Sequence, residues 1–294
     1  MPRKNRLPLH LTLLVVLLVP PLSLAQTQAP SSTPPKSGYA PINGLKMYYE
    51  IHGEGQPLVL LHGSFLDIDM AFGQLIPELS KTRKVIALEF QAHGRTADID
   101  RPISFASLAD DVAALLKYLH ASPADIFGYS LGGGVALQVA FRHPESVRKL
   151  VICSAPFKSD GWSPETRAAL EKLTPEILAA TPLKKEYDRL APDPGHWAQM
   201  VNKVKQIGAT PYDFSAQAKS IEAPTLIIVG DSDGILPEHI AEMFRIRGGG
   251  ANGDLGGHSP AQLAVFPATS HVGVIMHTDW LLAILPAFLD SQAN

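Results

Sequence analysis

Residues 126–137, IFGYSLGGGVAL, combine an apolar run, a serine between glycines and a helix-forming stretch. A buried strand that ends at Phe127 and a helix that begins after Ser130 leave room for only a very tight turn. Gly128 and Gly132 remove the side chains that would collide across this turn, and the serine is left in a strained backbone position with its hydroxyl exposed. The pattern predicts a nucleophilic serine at a strand–turn–helix junction. A glycine-rich turn that only packs a helix against a sheet is the alternative.

Strand-like and helix-like segments alternate along most of the chain. Seven apolar segments are predicted strands: 47–51, 58–61, 85–88, 125–127, 150–153, 225–229 and 262–266. The later ones are continuous runs of Val, Ile and Leu, which are typical of strands buried on both faces of a parallel sheet. Apolar residues at three- and four-residue spacing between the strands predict helices, the last of them over 279–289. The predicted fold class is therefore α/β, a mainly parallel sheet with helices on both faces.

Residues 155–222 interrupt this alternation. The segment has many prolines and no strand pattern, and 164–173 and 196–207 have helical patterns. We therefore expect a helical insertion that divides the α/β core into 39–154 and 223–294. Its aromatic residues either line an apolar pocket or form the small core of the insertion itself: Phe157, Trp162, Tyr187, Trp197 and Tyr212.

The first 25 residues have the plan of a secretory signal peptide. Three basic residues precede the apolar stretch 11–19, and small residues at Ser23 and Ala25 form a cleavage site. The apolar stretch is far shorter than the ~20 residues of a membrane helix, although an uncleaved anchor is the alternative. We expect cleavage after Ala25, export to the periplasm or beyond, no stable membrane anchor, and a flexible Pro- and Ser-rich leader at 26–38.

Composition narrows the classes of partner. The formal net charge of −3 and the absence of like-charge blocks argue against nucleic-acid binding. Cys153 is the only cysteine, so no intramolecular disulfide is possible, and its place at the end of an apolar run predicts a buried side chain. Neither metal-ligand spacing nor a phosphate-binding glycine loop is present, so we expect no metal and no cofactor.

A serine hydroxyl is a poor nucleophile unless a base takes its proton. Asp231 and Asp233 follow the predicted strand 225–229, and His271 follows the predicted strand 262–266. Catalytic groups in open α/β sheets lie beyond the carboxyl ends of strands, so either aspartate is a candidate acid and His271 the candidate base. His258 and His277 are expected on the surface. The chain order serine, aspartate, histidine is the order expected of a serine hydrolase with this strand–turn–helix architecture.

The oxyanion of an acyl-transfer intermediate needs two N–H donors. The predicted strand 58–61 ends in His62-Gly63-Ser64-Phe65. The backbone N–H of Ser64 is the favoured donor from this loop, and that of Phe65 is the alternative. The N–H of Leu131, directly after the serine, is the predicted second donor. We expect His62 to brace this loop rather than to act as a base.

The chain resembles the α/β-hydrolase superfamily from about Tyr39 to Leu289. The segments that carry the resemblance are the His62-Gly63 loop, QAHGRT at 91–96, GYSLGG at 128–133, RHPESVRKLV at 142–151, GDSDGILP at 230–237 and SHVGV at 270–274. The resemblance implies that Asp233 is the acid, that Asp231 is a loop residue, and that 155–222 is a cap over the pocket. Two segments depart from the family: 89–96, where the loop after the fourth strand differs, and 247–260, a glycine-rich loop expected to be a surface connection.

A serine at the strand–turn–helix junction argues against the haloalkane dehalogenases and epoxide hydrolases of this superfamily, which use aspartate there. The expected reaction is acyl transfer to water: hydrolysis of a small-molecule ester, thioester, lactone or amide, with Ser130 as nucleophile and His271 as base. Three alternatives stay open: a cofactor-free perhydrolase, a carbon–carbon bond hydrolase of the same fold, and a non-catalytic binding protein.

Overall fold

Eight strands form a single sheet in the order β1-β2-β4-β3-β5-β6-β7-β8. This is a computed structural model, and it describes residues 36–291. The first two pairings, β1 with β2 and β2 with β4, are antiparallel, and all the others are parallel. The predicted α/β class with a mainly parallel sheet is confirmed. The strands are β1 Lys36–Ile42, β2 Leu45–His52, β3 Pro57–Leu61, β4 Lys84–Leu88, β5 Ala124–Tyr129, β6 Val147–Cys153, β7 Thr225–Ser232 and β8 Ala261–Ser270.

Thirteen α-helices are present among the described residues. They are α1 Ile68–Phe72, α2 Ile76–Leu79, α3 Phe105–Tyr118, α4 Leu131–Arg142, α5 Pro164–Lys172, α6 Pro175–Ala179, α7 Pro182–Leu190, α8 Trp197–Ala209, α9 Ser215–Ser220, α10 Pro237–Ile246, α11 Gly253–Gly256, α12 His271–Met276 and α13 Thr278–Asp290. Local sequence determines where several of these helices begin. Ser104 and Ser107 form a reciprocal capping box at the head of α3, which satisfies backbone N–H groups that have no partner inside the helix.

The central strands are buried on both faces. Successive residues of β3 alternate between two apolar clusters: Val59 and Leu61 belong to one, Leu58 and Leu60 to the other. A strand has a side-chain period of two, so an unbroken apolar run supplies both layers at once. The core therefore lies on both sides of the sheet, and it fixes the carboxyl ends of β3, β5, β7 and β8 from which the site is built.

Strand β1 was not predicted, and the predicted leader at 26–38 is wrong at its end, because residues 36–38 already belong to this strand. Asn43 and Gly44 join β1 to β2 with φ of 47° and 86°, the pair of positive values that a type I′ hairpin requires. Pairing with β2, rather than apolar periodicity, holds the strand. The Asn-Gly dipeptide was the signal that would have located it. The predicted signal peptide, 1–25, and leader residues 26–35 lie outside the described residues.

Five helices, α5 to α9, lie between β6 and β7 in the segment 155–222, which we call the cap. Three of them begin with proline at the first helical position after a Ser or Thr N-cap (Ser163, Thr174 and Thr181), each of which accepts a hydrogen bond from a backbone N–H in the first turn. Proline suits this position because its missing N–H would be unpaired there anyway. Three of the prolines of the cap thus start α-helices. Among residues 36–291, no helix has both the length and the apolar character needed to cross a membrane.

Candidate active site

Ser130 lies between β5 and α4 in a strained conformation, with φ 54° and ψ −115°. A Cβ atom built on Gly128 would lie 2.1 Å from the carbonyl oxygen of Gly132, and one on Gly132 would lie 2.1 Å from that of Leu61. Only glycine fits at either position, since real side chains do not approach backbone atoms so closely. The N–H of Ser130 donates to the carbonyl of Cys153 on the neighbouring strand β6, at 2.9 Å. The serine is therefore held in its strained conformation from both sides.

His271 is the first residue of α12, directly after β8. Its Nε2 atom lies 3.0 Å from the Oγ atom of Ser130, and its Nδ1 atom lies 3.0 Å from Oδ1 of Asp233. The Asp233 side chain is fully buried, whereas that of His271 is 28% exposed. The structure thus brings together three predicted candidates, Ser130, His271 and Asp233. Each side chain lies within hydrogen-bond distance of the next, in the order serine, imidazole, carboxylate.

Tyr129 adds a support that sequence reasoning missed. Its hydroxyl donates to the backbone carbonyl of His271 at 3.1 Å, and the two rings are 5.6 Å apart. Burial raises the pKa of this tyrosine well above its ordinary value, so the hydroxyl keeps its proton and acts as a donor. Tyr129 directly precedes Ser130, so one short segment positions both the serine and the backbone of the histidine.

Asp231, the other candidate acid, makes its hydrogen bonds to groups other than the His271 imidazole. Its two carboxylate oxygens accept hydrogen bonds from the backbone N–H groups of Ala268 at 2.9 Å and Thr269 at 3.1 Å. These hydrogen bonds lower the pKa of Asp231. Ala268 has a positive φ of 50°. Asp231 therefore shapes the loop that leads to His271 and does not contact the ring.

The loop after β3 lies against the serine turn. A Cβ atom on Gly63 would lie 3.3 Å from the Cβ atom of Ser130 and 2.9 Å from the Tyr129 ring. The loop is a tight turn in which the N–H of Leu66 donates to the carbonyl of Gly63 at 3.3 Å. The predicted oxyanion donors Ser64 and Leu131, together with the runner-up Phe65, have backbone N–H groups that bond to no other described residue.

His62 is fully buried beneath this loop. Its Nδ1–H donates to the carbonyl of Gly63 at 2.8 Å, and its Nε2 accepts from the N–H of Phe90 at 3.1 Å. Burial, followed by the nearby His93, lowers the pKa of His62 to about 3. The ring is therefore neutral, and it connects the loops after β3 and β4.

The loop after β4, which departs from the family pattern, is organised around a buried carboxylate. Glu89 accepts hydrogen bonds from the backbone N–H and the guanidinium of Arg95, the latter at 2.5 Å. Gly94 has a φ of 51°, and a Cβ atom there would lie 2.3 Å from the Glu89 carboxyl. The glycine is required because the loop wraps directly around this side chain.

Acidic and basic side chains continue this network to the cap. Asp69 pairs with Arg95 at 2.8 Å and with Arg189 of α7 at 3.2 Å, and Arg189 also pairs with Glu186. Within the described ranges, Asp67, Asp69 and Glu186 are the one group of three carboxylates whose oxygens lie within 4.8 Å of one another. Two of the three, Asp69 and Glu186, are paired with the guanidinium groups, so they form part of an ion-pair network between the core and α7.

The cap aromatic residues divide into two sets. Trp162 packs edge-to-face on the His271 ring, with 5.3 Å between ring centres, and it forms a bridge with Ile235. Trp197 is instead buried inside the cap, where it packs on Tyr187 at 5.3 Å and its Nε1–H donates to the carbonyl of Pro175. Of the two tryptophans, only Trp162 reaches the site.

Besides the predicted surface histidines His258 and His277, the cap contains His196, and all three stay away from the serine. His258 is exposed. His277 caps the head of α13 and stacks on Trp280 with 4.1 Å between ring centres. His196, in the cap, is half-exposed and lies 3.5 Å from Asp193. None of the three contacts Ser130.

In a comparison with known proteins, residues 56–186 match the model of the family described as "alpha/beta hydrolase fold". A pyrrolizixenacetamide deacetylase from Xenorhabdus hominickii is 26% identical over 274 residues, which cover 85% of this chain and 97% of the relative. A pimeloyl–acyl-carrier-protein methyl ester esterase from Neisseria meningitidis is 32% identical over 186 residues, 63% of this chain and 58% of the relative.

Among solved structures, the enol-lactonase from Burkholderia xenovorans superposes with a TM-score of 0.65 at 22% identity, covering 86% of this chain and 100% of that one. This likeness is one of fold. The family match, 56–186, includes Ser130 and ends before Asp233 and His271, so the assignment of acid and base rests on the distances given above.

Proposed function

We propose that this chain, which has the α/β-hydrolase fold, cleaves carboxylic esters through an acyl-enzyme on Ser130. The chain is a hydrolase acting on ester bonds, in keeping with relatives named as an esterase and a deacetylase. The observation that carries the mechanism is the 3.0 Å contact between Nε2 of His271 and Oγ of Ser130, with Asp233 on the other ring nitrogen.

In the first step His271 takes the Ser130 proton as the oxygen attacks the carbonyl carbon of the ester. The buried Asp233 carboxylate accepts the Nδ1–H hydrogen bond, which selects the tautomer with a free Nε2 and stabilises the imidazolium that forms. The imidazolium then gives its proton to the departing alcohol oxygen. A water molecule attacks the acyl-enzyme with His271 as base again, and the acid is released.

The negative oxygen of each tetrahedral intermediate needs donors beside Ser130. The backbone N–H groups of Ser64 and Leu131 are the proposed pair, because Gly63 brings the first loop against Ser130 and Leu131 follows it directly at the head of α4. Both N–H groups lack a partner among the described residues. Removing one such donor typically lowers turnover about 100- to 1,000-fold.

The site favours a neutral, apolar acyl group. Trp162 packs on the His271 ring, and Ile235 pairs with Trp162 in a bridge, so both bring apolar surface near the site. An ester, lactone or thioester carbonyl presents the electrophilic carbon that a serine alkoxide attacks, and none of the proposed steps needs a cofactor or a metal.

The direct test is detection of the acyl-enzyme. The protein is mixed with p-nitrophenyl esters of graded acyl length, together with several lactones and amides, and is quenched early for intact-mass and peptide analysis. We expect a burst of p-nitrophenol and a mass increase equal to the acyl group on the peptide that contains Ser130. Turnover without either signal, or an acyl group on another residue, would reject this mechanism.

We also propose that the protein is exported, on the basis of the basic, apolar and small-residue order of 1–25. In a bacterial host, we expect the mature protein in the periplasmic or extracellular fraction, with Gln26 at its N-terminus. Val15→Arg places a charge in the apolar stretch and should retain the precursor in the cytoplasm, whereas Thr27→Arg, beyond the cleavage site, should not. An N-terminus at Met1 in the exported fraction would reject cleavage.

A further inference from the structure

A cavity lies away from the serine, where the core meets the cap. It has a volume of about 360 Å³. The start of α3, one side chain of α4, the end of α8 and the segment before α9 form its walls. The residues that line it include Phe105, Gln138, Ile207, Thr210, Tyr212 and Phe214. From its lining we infer that this cavity binds a neutral small molecule with an apolar body and an amide-like polar group.

Gln138 is the residue that indicates a ligand. It is only 6% exposed, and it lines the cavity, yet its side-chain amide makes no hydrogen bond with any described residue. The amide atoms of Gln138 are not among the fully buried, unpartnered polar atoms of the described residues, so they remain open to the cavity and to water in it. A bound polar group that both accepts from and donates to this amide would replace that water.

The rest of the lining defines the ligand. Phe105 packs edge-on against Tyr212 and Phe214, with 5.1 and 5.9 Å between ring centres, which provides flat aromatic walls. None of the lining residues has a charged side chain. A charged ligand would lose hydration without gaining a counter-charge, so the ligand is neutral. The volume lies at the lower end of the range for small-molecule sites.

One glycine after the serine turn, Gly134, allows one wall of this cavity to form. Gly128 and Gly132 are accounted for by the serine turn, but Gly134 is not. A Cβ atom on Gly134 would lie 2.3 Å from the Phe105 ring. The glycine therefore lets Phe105 lie directly on α4, where it forms one wall, and Gln138 follows one helical turn later on the same face.

The cavity is separate from the site at Ser130. Gln138 lies eight positions after Ser130, which corresponds to a rise of about 12 Å along the axis of α4. The ligand is either a free molecule or the far end of a long ester substrate. Both present the same chemistry to the cavity.

Binding can be tested without any assumption about catalysis. The probe is 4-fluorobenzamide, a neutral aromatic amide, and its binding is measured by ¹⁹F NMR titration of the whole protein. The charged control probe, 4-fluorobenzoate, should bind at least tenfold more weakly. Gln138→Leu removes the amide at similar volume, and Thr210→Trp obstructs the exposed rim. Each should weaken 4-fluorobenzamide binding at least tenfold.

The matched control is Gln217→Leu on the exposed face of α9, which should bind within twofold of wild type. Circular dichroism melts of all variants establish that they fold. The proposal is overturned if folded wild type binds no 4-fluorobenzamide, if Gln138→Leu and Thr210→Trp both bind it as wild type does, or if 4-fluorobenzoate binds equally well.

Kinetics then identify the source of the ligand. If the cavity binds the far end of a long ester substrate, 4-fluorobenzamide should raise KM for p-nitrophenyl decanoate and leave hydrolysis of p-nitrophenyl acetate unchanged. If the cavity instead binds a free effector molecule, 4-fluorobenzamide should change kcat by the same factor for both esters. Inhibition of both esters by simple competition, undiminished in Gln138→Leu, would place the probe at Ser130 and reject the second site. Absence of ester hydrolysis would reject the proposed function and leave the NMR result standing.

Discussion

The Nε2 atom of His271 lies 3.0 Å from the Oγ atom of Ser130, although 141 positions separate the two residues in the chain. The contact is made because β5, which leads to the serine, and β8, which leads to the histidine, run parallel in one sheet with β6 and β7 between them. The carboxyl ends of parallel strands meet at one edge. Long-range pairing of strands therefore builds the site from separate loops.

Removal of the Ser130 hydroxyl should end ester hydrolysis. We expect Ser130→Ala to lower kcat for p-nitrophenyl acetate by at least 10³-fold, since the remaining groups supply only binding and oxyanion stabilisation. Ser220→Ala, on the exposed end of α9, is the control and should retain wild-type turnover. A Ser130→Ala protein with an unchanged circular dichroism spectrum and more than a small fraction of wild-type activity would mean that another group is the nucleophile.

The two aspartates of the β7 loop should differ sharply. Asp233→Asn replaces the group that accepts from Nδ1 of His271, so the ring loses its orientation and its cation loses stabilisation. We expect a fall in kcat of about 10⁴-fold, against less than about tenfold for Asp231→Asn, which perturbs only the backbone of Ala268 and Thr269. Equal losses, or a larger loss at Asp231, would reverse the assignment.

The two cap tryptophans should affect different properties. Trp162→Ala removes the ring that packs on His271 and should change the preference among acyl lengths by about 1–3 kcal/mol per methylene, while a short activated ester still acylates Ser130. Trp197→Ala leaves a cavity in the cap and should lower the free energy of unfolding by about 3–5 kcal/mol. Urea unfolding and the graded ester series measure the two effects. An unchanged length profile in Trp162→Ala would place that ring outside the acyl pocket.

Alanine substitutions at two glycines should change the free energy of unfolding in opposite directions, according to the space around each residue. Gly132→Ala forces a methyl group to within 2.1 Å of the Leu61 carbonyl oxygen, so we expect loss of the serine turn and of soluble, active protein. Gly208→Ala, on an exposed part of α8 with nothing within 4 Å, should raise the free energy of unfolding by about 0.5–1 kcal/mol. Thermal melts compare the two. A folded, active Gly132→Ala variant would contradict the tight-turn geometry.

The buried, neutral His62 predicts how stability varies with pH. Its folded-state pKa, about 3, is below the ordinary histidine value, so the unfolded chain binds a proton first as pH falls. Its contribution is present above about pH 6.5 and is lost as pH falls toward 3, by up to ~1.4 kcal/mol per pH unit. His62→Gln should reduce the slope of unfolding free energy between about pH 4 and 6.5, and exposed His258→Gln should not. Urea titrations across this range provide the slopes, and equal slopes in wild type and His62→Gln would reject the assignment.

Local sequence was sufficient for most of the fold. Apolar runs located seven of the eight strands because buried strands of a parallel sheet need continuous Val, Ile and Leu. Strand β1 escaped because its residues, KSGYAPI, have no such pattern and are held by pairing with β2. The same limit applies to the cap: the helical patterns of 164–173 and 196–207 predicted helices, but they could not divide the aromatic residues between the pocket and the cap core.

The sequence by itself determined the chemistry-bearing residue types and the α/β architecture, since steric demands at Gly128 and Gly132 and the periodicity of apolar residues act over a few positions. Tertiary structure decided which aspartate contacts His271, that Trp162 rather than Trp197 lies beside the imidazole, and that Gln138 faces a cavity without a partner. These outcomes depend on distances between loops on different strands and on packing between the core and the cap. Such distances are fixed by the packed whole, so no short stretch of sequence encodes them.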